Sequence, residues 1–400
     1  MKKNFKWLAV LCAFALLSGQ DALGKKPTAK IDVDGITASA AQQIELQYDS
    51  LTNKGIYGTP QMYQNGKYYY CPYEAWISGF FPGSLWYLYE LTGDPKWKSR
   101  ATEQTERLER IQNLTSDHDI GYRITGNPTY PDVLIQSARS LATRFQPKAG
   151  VIMSWNPNAR WKCPVIIDNM MNLELLFNAT LYSGDSIFHK IAVSHADRTL
   201  ENHFRPDHSS YHVVDYDPET GAVRMKNTAQ GYADESAWAR GQAWGLYGFV
   251  TCYRFTGDKR YQEQAKEIAD FILSHPRLPE DKIPYWDFDA PNIPNEERDA
   301  SAGAILASGL YELALYSDPK YADAADQIVA SLSTPAYTAP IGTNGNFILM
   351  HSVGSRPANS EVDVPLVYAD YYYLEALYRH KYFKKLKKHL WDARLKPLER

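Results

Sequence analysis

Cysteine is scarce in this sequence and follows no pattern. Four cysteines occur in 400 residues, and Cys12 falls in an N-terminal leader segment. The other three, Cys71, Cys163 and Cys252, are far apart and odd in number. A disulfide framework needs paired cysteines and a zinc site needs ligands at close spacing. The sequence therefore predicts neither a disulfide-stapled fold nor a metal centre.

An excess of basic charge is also missing. The formal net charge is −3, and a leader with three lysines and one aspartate leaves about −5 for the remainder. Nucleic-acid binding normally needs a basic patch or stripe, so we expect no nucleic-acid partner. After the leader, no apolar run is long enough for a helix to cross a bilayer, and we expect no membrane span.

The leader predicts export. Lys2 and Lys3 precede an apolar stretch over 7–17, and Ala22-Leu23-Gly24 offers a small-residue cleavage site, the pattern of a secretory signal peptide. Gln20 stands where a lipoprotein carries its lipidated cysteine. We therefore expect 1–24 to be a signal peptide and 25–400 to be one domain of an exported, periplasmic protein.

Aromatic side chains are plentiful. The chain has 29 tyrosines and 10 tryptophans, many in short clusters with polar residues. Flat, partly polar rings suit a sugar-binding cleft, but large helical cores also accumulate tyrosine, whose hydroxyl finds a polar partner when buried. Composition leaves both interpretations open.

Apolar periodicity predicts an almost wholly helical chain. The stretches with helical spacing are 36–53, 74–92, 95–113, 130–145, 164–183, 186–204, 234–256, 258–275, 299–316, 318–333 and 361–382. Long loops between them, at 57–73, 114–129, 205–233, 284–298 and 339–360, are rich in Gly, Asp, His and aromatic residues. Loops of this length in a compact domain are usually functional.

A short motif recurs between the predicted helices. It reads Gly93-Asp94-Pro95 first, returns as Gly-Asp at 184–185 and 257–258, and ends as Asp-Pro at 318–319. Glycine ends one helix, aspartate caps the next, and an aromatic residue three positions on packs back onto the hairpin. Serial αα-hairpins with irregular connections favour an all-α, (α/α)6 barrel, with an open solenoid as the alternative.

Two segments offer carboxylates for catalysis. Asp117, His118 and Asp119 follow a predicted helix end, where a solvated turn is the alternative. Asp168 lies in the opening turn of an apolar predicted helix. Burial there raises the pKa of a carboxyl, as a general acid requires, although an aspartate that only caps the helix would look the same.

The most specific stretch is 230–245, which begins at Gln230 and contains Trp238, Arg240 and Trp244, with Asp234 as the predicted helix cap. Arginine grips carboxylates through two hydrogen bonds. The alternative for Arg240 is an ion pair beneath a packed aromatic wall.

The histidines at 203, 208 and 212 and two further tryptophans complete the candidates. The histidines occur without a zinc-enzyme motif such as HExxH, so the sequence predicts a substrate-binding loop rather than a metal site. Trp76, at the predicted start of the second helix, and Trp155 are candidate sugar platforms, with core packing as the alternative for each.

In their order and spacing these segments resemble the unsaturated glucuronyl hydrolases, glycoside hydrolase family 88, over about 60–380. The resemblance implies an (α/α)6 barrel with a deep aromatic pocket, with Asp168 as the catalytic acid/base and Asp119 as its partner carboxylate. The substrate-binding residues that it implies are Trp76, His118, Trp155, His212, Gln230, Trp238, Arg240 and Trp244. Ser236 stands where some relatives carry another tryptophan.

The resemblance also implies a reaction and a partner, an acidic oligosaccharide with a Δ4,5-unsaturated uronic acid at its non-reducing end. Asp168 would protonate C4 of the vinyl ether, water would add at C5, and the hemiketal would open and expel the rest of the glycan. A carboxyl at Asp119 would help keep Asp168 protonated. This chemistry requires no metal and no organic cofactor.

Specificity and oligomeric state stay open. Ser352 and Ser355 fall in a late loop where relatives contact sulfated sugars, but Pro357 stands where a lysine would complete that pattern. The alternative functions are a rhamnogalacturonyl or galacturonyl hydrolase of family 105, a sugar epimerase on an α/α barrel, and a non-catalytic glycan-binding protein. We expect a monomer or a homodimer.

Overall fold

The computed structural model describes residues 31–114 and 130–395, with side chains up to residue 387. In these ranges the chain forms eleven α-helices. They are α1 Val33–Asn53, α2 Phe80–Thr92, α3 Pro95–Glu106, α4 Tyr130–Ala142, α5 Leu173–Ser183, α6 Ser186–Asn202, α7 Ala239–Thr256, α8 Lys259–Ser274, α9 Ala300–Tyr316, α10 Lys320–Leu332 and α11 Val367–Leu395. Short 3-10 helices span Glu109–Asn113, Ile167–Asn172 and Asn344–Asn346. The predicted signal peptide and nearly all of the predicted loop 114–129 lie outside the described residues.

The predicted hairpin motif is confirmed. Asp94, Asp185 and Asp258 each accept a hydrogen bond from the backbone N–H two residues on, which caps α3, α6 and α8. The glycines before them adopt left-handed φ angles of 71°, 74° and 70°, which end α2, α5 and α7 at little steric cost. The aromatic residues that pack back, all at most 2% exposed, are Trp97, Phe188, Tyr261 and Tyr321.

Among the described residues, short strands lie in the connections between helices. They are β1 Thr59–Gln64, β2 Lys67–Cys71, β3 Phe145–Gln146, β4 Val151–Ile152, β5 Pro164–Ile166, β6 Val213–Tyr216, β7 Val223–Asn227, β8 Ser352–Ser355 and β9 Ser360–Val364. All pairings are antiparallel: β1 with β2, β3 with β4, β5 with β6 and β6 with β7, and β8 with β9. The loops are therefore stiffened by hydrogen-bonded ribbons.

Four predicted helix starts were wrong. The helices predicted from 74, 164, 234 and 361 begin at Phe80, Leu173, Ala239 and Val367. An apolar, β-branched run at 165–167 suits a strand as well as a helix, and part of it forms β5. Pro365 keeps the residue before it extended, which is compatible with β9 ending there. Asp234 does not cap α7, because Trp238 occupies the N-cap position.

Burial separates inner from outer helices. All residues of α7 from Ala239 to Tyr253 and of α9 from Ala300 to Ala314 are buried, whereas α8 and α10 bury one stripe each. A helix buried on all sides belongs to an inner wall. The last helix, α11, packs against both α9 and α2, so the chain closes on itself. The result is the all-α barrel of helical hairpins that the sequence predicts.

Cys71, Cys163 and Cys252 are buried free thiols. Within 31–114 and 130–395, no helix combines the length and the apolarity that crossing a bilayer requires.

Candidate active site

Asp168 lies where a strand turns into a helix. β5 pairs with β6 so that Ile166 faces Val213, and the N–H of Ile167 donates to the carbonyl of His212 at 3.0 Å. Asp168 is therefore the second residue of the 3-10 helix that leads into α5, rather than part of the opening turn of α5 itself. Its side chain is 14% exposed, which leaves the carboxyl accessible to a ligand in an otherwise buried wall.

A buried polar pair holds this turn in place. Asn169 donates to the carbonyl of Ile152 at 2.8 Å and accepts from the Ser154 hydroxyl at 2.8 Å. The same hydroxyl accepts from the N–H of Ile166 at 2.9 Å. These bonds tie the residues on both sides of Asp168 to β4 and to Ser154 just after it, so the carboxyl projects from a backbone with little freedom to move.

His212 faces Asp168 across the strand pair. Its Nδ1 accepts hydrogen bonds from the N–H groups of Ala229 and Gln230, both at 3.1 Å. The proton of the neutral ring must then lie on Nε2, and Nε2 is 3.8 Å from Oδ2 of Asp168. The imidazole packs on Trp238 with ring centres 4.5 Å apart. His212 therefore presents an N–H towards the carboxyl of Asp168.

The Arg240 guanidinium is buried and clamped. Its Nη1 pairs with Asp299 Oδ2 at 3.0 Å and donates to the Val353 carbonyl, while its Nη2 donates to the Gly354 carbonyl at 2.7 Å. Burial works to lower the pKa of Arg240, but neighbouring acidic groups, Asp299 among them, together raise it more, and the net direction is upwards. Arginine has five N–H donors, so these three bonds leave two for a ligand.

Asp299 was not among the predicted site residues. It is fully buried, caps α9 by accepting from the N–H groups of Ser301 and Ala302, and also accepts from the N–H of Val353 at 3.4 Å. An aspartate before a predicted helix is an ordinary capping signal. No local sequence feature distinguishes an aspartate that only caps a helix from one that also binds an arginine on α7.

Gln230 reaches the same strand as Arg240. Its Nε2 donates to the Gly354 carbonyl at 3.0 Å, so Gln230 and Arg240 converge on one carbonyl of β8. Ser352 at the start of β8 is fully buried, and Ser355 at its end is half-buried. The strand with both candidate serines is thus fixed against the residues around Asp168.

The loop before α7 is pinned by Asp287, which sequence reasoning also missed. Its Oδ2 accepts from the N–H of Tyr232 at 2.9 Å and from the hydroxyl of Ser236 at 2.7 Å, and its Oδ1 accepts from the N–H of Asp289 at 2.8 Å. Burial raises the pKa of Asp287 to about 6, although these hydrogen bonds oppose the rise.

The candidate tryptophans occupy different layers. Trp76 is 41% exposed and packs on Tyr368, ring centres 5.4 Å apart. It lines an open cavity of about 110 Å³ that borders the 3-10 helix of Asp168 through Met171 and Asn172. Trp155 is half-buried against Trp161.

Trp238 and Trp244 lie deeper. Trp238 is 2% exposed and packs between the His212 ring and the Arg240 guanidinium, whose carbon is 4.6 Å from its ring centre. Trp244 is 1% exposed and packs behind Tyr372, which lines the cavity.

The remaining histidines face other partners. His203 is fully buried with Nε2 3.1 Å from the Val165 carbonyl, and burial lowers its pKa to about 4. His208 lies 3.7 Å from Glu267 on α8. In the part of the chain that the structure describes, no three metal-binding side chains converge. His118 and Asp119, both predicted for the site, lie outside the described residues.

Comparison with known proteins places this geometry in a family. No protein-family model matches the chain. An unsaturated glucuronyl hydrolase of Formosa agariphila is 47% identical over 321 residues, 77% of this chain and 80% of that protein. An unsaturated chondroitin disaccharide hydrolase of Streptococcus agalactiae is 34% identical over 377 residues, 89% of this chain and 93% of that protein. A crystal structure of an unsaturated glucuronyl hydrolase specific for heparin has a TM-score of 0.84 at 43% identity, covering 88% of this chain and 98% of that one.

These relatives identify the closed barrel of helical hairpins, with its neighbouring carboxyl, imidazole and guanidinium, as a glycoside hydrolase. The chain belongs to the unsaturated glucuronyl hydrolases, glycoside hydrolase family 88. The predicted family and the predicted (α/α)6 fold are therefore confirmed.

Proposed function

We propose that this protein releases a Δ4,5-unsaturated uronic acid, of the glucuronyl type, from the non-reducing end of lyase-generated oligosaccharides. One observation carries the proposal: the 14% exposed carboxyl of Asp168 stands 3.8 Å from Nε2 of His212, in a chain that belongs to this family. A carboxyl that faces an N–H donor in a mostly buried wall can give up a proton and take one back.

The reaction begins at the double bond. Asp168 transfers its proton to C4, and positive charge develops at C5 and is shared with the ring oxygen. Water adds at C5 while its proton passes to the Asp168 carboxylate, which restores the acid. The product is a hemiketal at C5. Its ring opens, and the hemiacetal left at C1 collapses to an aldehyde and releases the remaining glycan as an alcohol.

His212 serves this cycle by orienting the acid. Its Nδ1 is held by two backbone N–H groups, so its Nε2–H is directed towards Oδ2 of Asp168. The other oxygen of the carboxyl is then the one to face the substrate. The role of Asp119 as the partner carboxylate remains a prediction from the sequence.

For the substrate we propose a glycosaminoglycan disaccharide whose sugar next to the uronate bears no sulfate near β8. The Glu361 side chain lies against Gly354, since its Oε2 is 2.2 Å from where a Cβ on that glycine would be. Arg356 is turned towards Glu297, with Nε 3.2 Å from Oε2. The Glu361 carboxylate beside β8 would repel a sulfate group, and Arg356 is already paired with Glu297. Both features disfavour a sulfate beside β8.

Export to the periplasm is part of the proposal and rests on the basic and apolar leader pattern alone. Expression of the full chain, cell fractionation and N-terminal sequencing of the product would test it. A start near residue 25 in the periplasmic fraction would support export, and an intact Met1 in the cytoplasm would contradict it.

The activity is tested by ultraviolet absorbance, because the conjugated enol ether absorbs and its hydration product does not. We expect the absorbance of unsaturated glycosaminoglycan disaccharides to decay, and faster without sulfate on the second sugar than with it. A flat trace on glycosaminoglycan ends but decay on pectic ends would favour the family 105 type of activity. Binding without turnover on any of them would favour a glycan-binding protein.

Asp168→Asn supplies the sharper test of the acid. The amide keeps the size of the side chain but cannot donate the proton, so we expect turnover to fall by at least about 10³-fold with an unchanged unfolding midpoint. Asp185→Asn, at an exposed helix cap, is the matched control and should keep full activity. Substantial turnover by Asp168→Asn would remove Asp168 from the role of acid.

A further inference from the structure

Tyr368 has a buried hydroxyl with no hydrogen-bond partner among the described residues. It lies in the first turn of α11, is 1% exposed, and its hydroxyl makes no hydrogen bond to any described residue. Burying a hydroxyl without a hydrogen bond costs free energy, and most buried polar groups in native proteins are bonded. An orphaned hydroxyl is therefore a site at which a ligand oxygen would be favourable.

The Tyr368 ring is part of the buried core, and two of its neighbours, Trp76 and Arg240, are candidate active-site residues. The Tyr368 ring packs on Trp76, which lines the open cavity, at 5.4 Å between ring centres. The guanidinium carbon of Arg240 is 5.5 Å from its ring centre. Burial raises the pKa of Tyr368 far above its ordinary value. Among the charged groups nearby, Arg240 lowers this pKa, and Glu361, Asp299 and Asp168 raise it. The hydroxyl therefore keeps its proton at any working pH.

The structure of the substrate indicates which of its groups the Tyr368 hydroxyl binds. The carboxylate of the unsaturated sugar is attached to C5, and C5 is bonded to C4, the atom that Asp168 protonates. Donors for that carboxylate must therefore lie beside Asp168. The His212 ring, which faces Asp168, packs on Trp238. Arg240 lies over the same Trp238 ring and next to the Tyr368 ring. After its three bonds to described residues, Arg240 retains two N–H groups.

We infer that the Tyr368 hydroxyl donates a hydrogen bond to the C5 carboxylate of the unsaturated uronate, alongside the remaining N–H groups of Arg240. Tyr368 is thus a substrate-positioning residue: it holds the carboxylate and so sets C4 against Asp168, with Trp76 covering the sugar ring. The inference rests on the proposed function and adds a residue that none of the sequence motifs contains.

Tyr368→Phe removes the donor and keeps the ring. Steady-state kinetics would be measured on an unsaturated disaccharide and on its methyl ester, which lacks the negative charge. A hydrogen bond to a charged group contributes substantially to binding free energy. Its loss should therefore raise KM for the acid roughly tenfold, with a smaller change in kcat. For the ester we expect a change below about twofold. If ester turnover is too slow, its inhibition constant against the acid supplies the same comparison.

Two controls separate this role from a structural one. Tyr373→Phe, on the same helix, loses the 2.7 Å hydrogen bond with Ser333 and should leave KM unchanged for both substrates. Tyr368→Phe itself should not lower the unfolding midpoint, because the hydroxyl that it removes makes no hydrogen bond to any residue that the structure describes.

The outcomes are distinct. A KM increase confined to the acid supports the inference. An unchanged KM for the acid, or equal losses on acid and ester, overturns it while leaving the proposed function standing. If the unaltered protein turns over neither substrate, the proposed function fails and the inference fails with it.

Discussion

At the scale of single residues, Arg240 and Asp299 form a buried ion pair with side chains 3% and 0% exposed. Two charges removed from water are tolerable only because each is further bonded, Arg240 to two carbonyls and Asp299 to N–H groups of α9. The pair joins α7, α9 and β8 at one point. Loss of this ion pair would therefore change the geometry of the site and, through the geometry, the affinity for substrate.

Arg240→Ala should both weaken substrate binding and destabilise the fold. It leaves the Asp299 carboxylate buried without its cation, which typically costs about 3–5 kcal/mol, and it removes the remaining donors for the substrate carboxylate. We expect KM to rise more than kcat falls, and the free energy of unfolding in urea to drop.

The matched control is Arg260→Ala, whose side chain is 57% exposed in its pairs with Asp197 and Asp258. Exposed pairs contribute little, so both quantities should stay near those of the unaltered protein. A pure loss of kcat in Arg240→Ala, with KM unchanged, would contradict a role in binding.

At the scale of elements, the loop before α7 depends on a carboxyl that titrates near the working range. Asp287 holds Tyr232 and Ser236 by hydrogen bonds and is fully buried beside Asp289. Burial raises its pKa from an ordinary value near 4 to about 6. The folded protein therefore binds this proton more tightly than the unfolded chain does.

The sign of the pH effect follows. The contribution of Asp287 to stability is fully present below about pH 4 and is lost as the pH rises towards 6, by about 2–3 kcal/mol in total. Asp287→Asn removes this titration. The difference in free energy of unfolding between the unaltered protein and the variant should therefore shrink as the pH rises from about 4 to about 6. Urea unfolding at pH 4, 5, 6 and 7 measures this, with Asp185→Asn as the exposed control. A difference that does not vary with pH would contradict the assignment.

At the scale of the whole molecule, a charged cluster joins the helices of the wall. Arg379 on α11 pairs with Glu312 on α9 at 2.6 Å and donates to the Ser308 carbonyl at 3.0 Å. Glu375 on α11 accepts from the Tyr87 hydroxyl on α2 at 2.6 Å. The last helix, α11, is thereby bonded to α2 near the start of the chain, so polar contacts as well as packing close the ring.

Arg379→Met should test this closure. The substitution keeps an unbranched side chain but leaves Glu312 and Glu375 buried with one cation fewer, and we expect unfolding to become easier by about 3–5 kcal/mol. Lys320→Met, which breaks an exposed pair with Asp270, is the control and should change stability by less than about 1 kcal/mol. A loss in Arg379→Met no larger than in the control would show that packing alone closes the ring.

The sequence alone predicted the helical hairpins, the family, and Asp168, Trp238 and Arg240 as candidates. Capping and periodicity are local: Gly93 and Asp94 act within a few residues, so their effect can be read from the chain directly. Helix starts at 74, 164, 234 and 361 were placed too early, because an apolar run without caps fits a strand or a turn as well as a helix.

Only the tertiary structure decided which side chains meet. Asp168 and His212 face each other because β5 pairs with β6, and Arg240 is bonded to Asp299, 59 positions along the chain. The Tyr368 hydroxyl is a candidate donor because α11 returns to the active-site wall. Contacts between distant segments depend on how whole elements pack, and no local pattern of residue types encodes that packing.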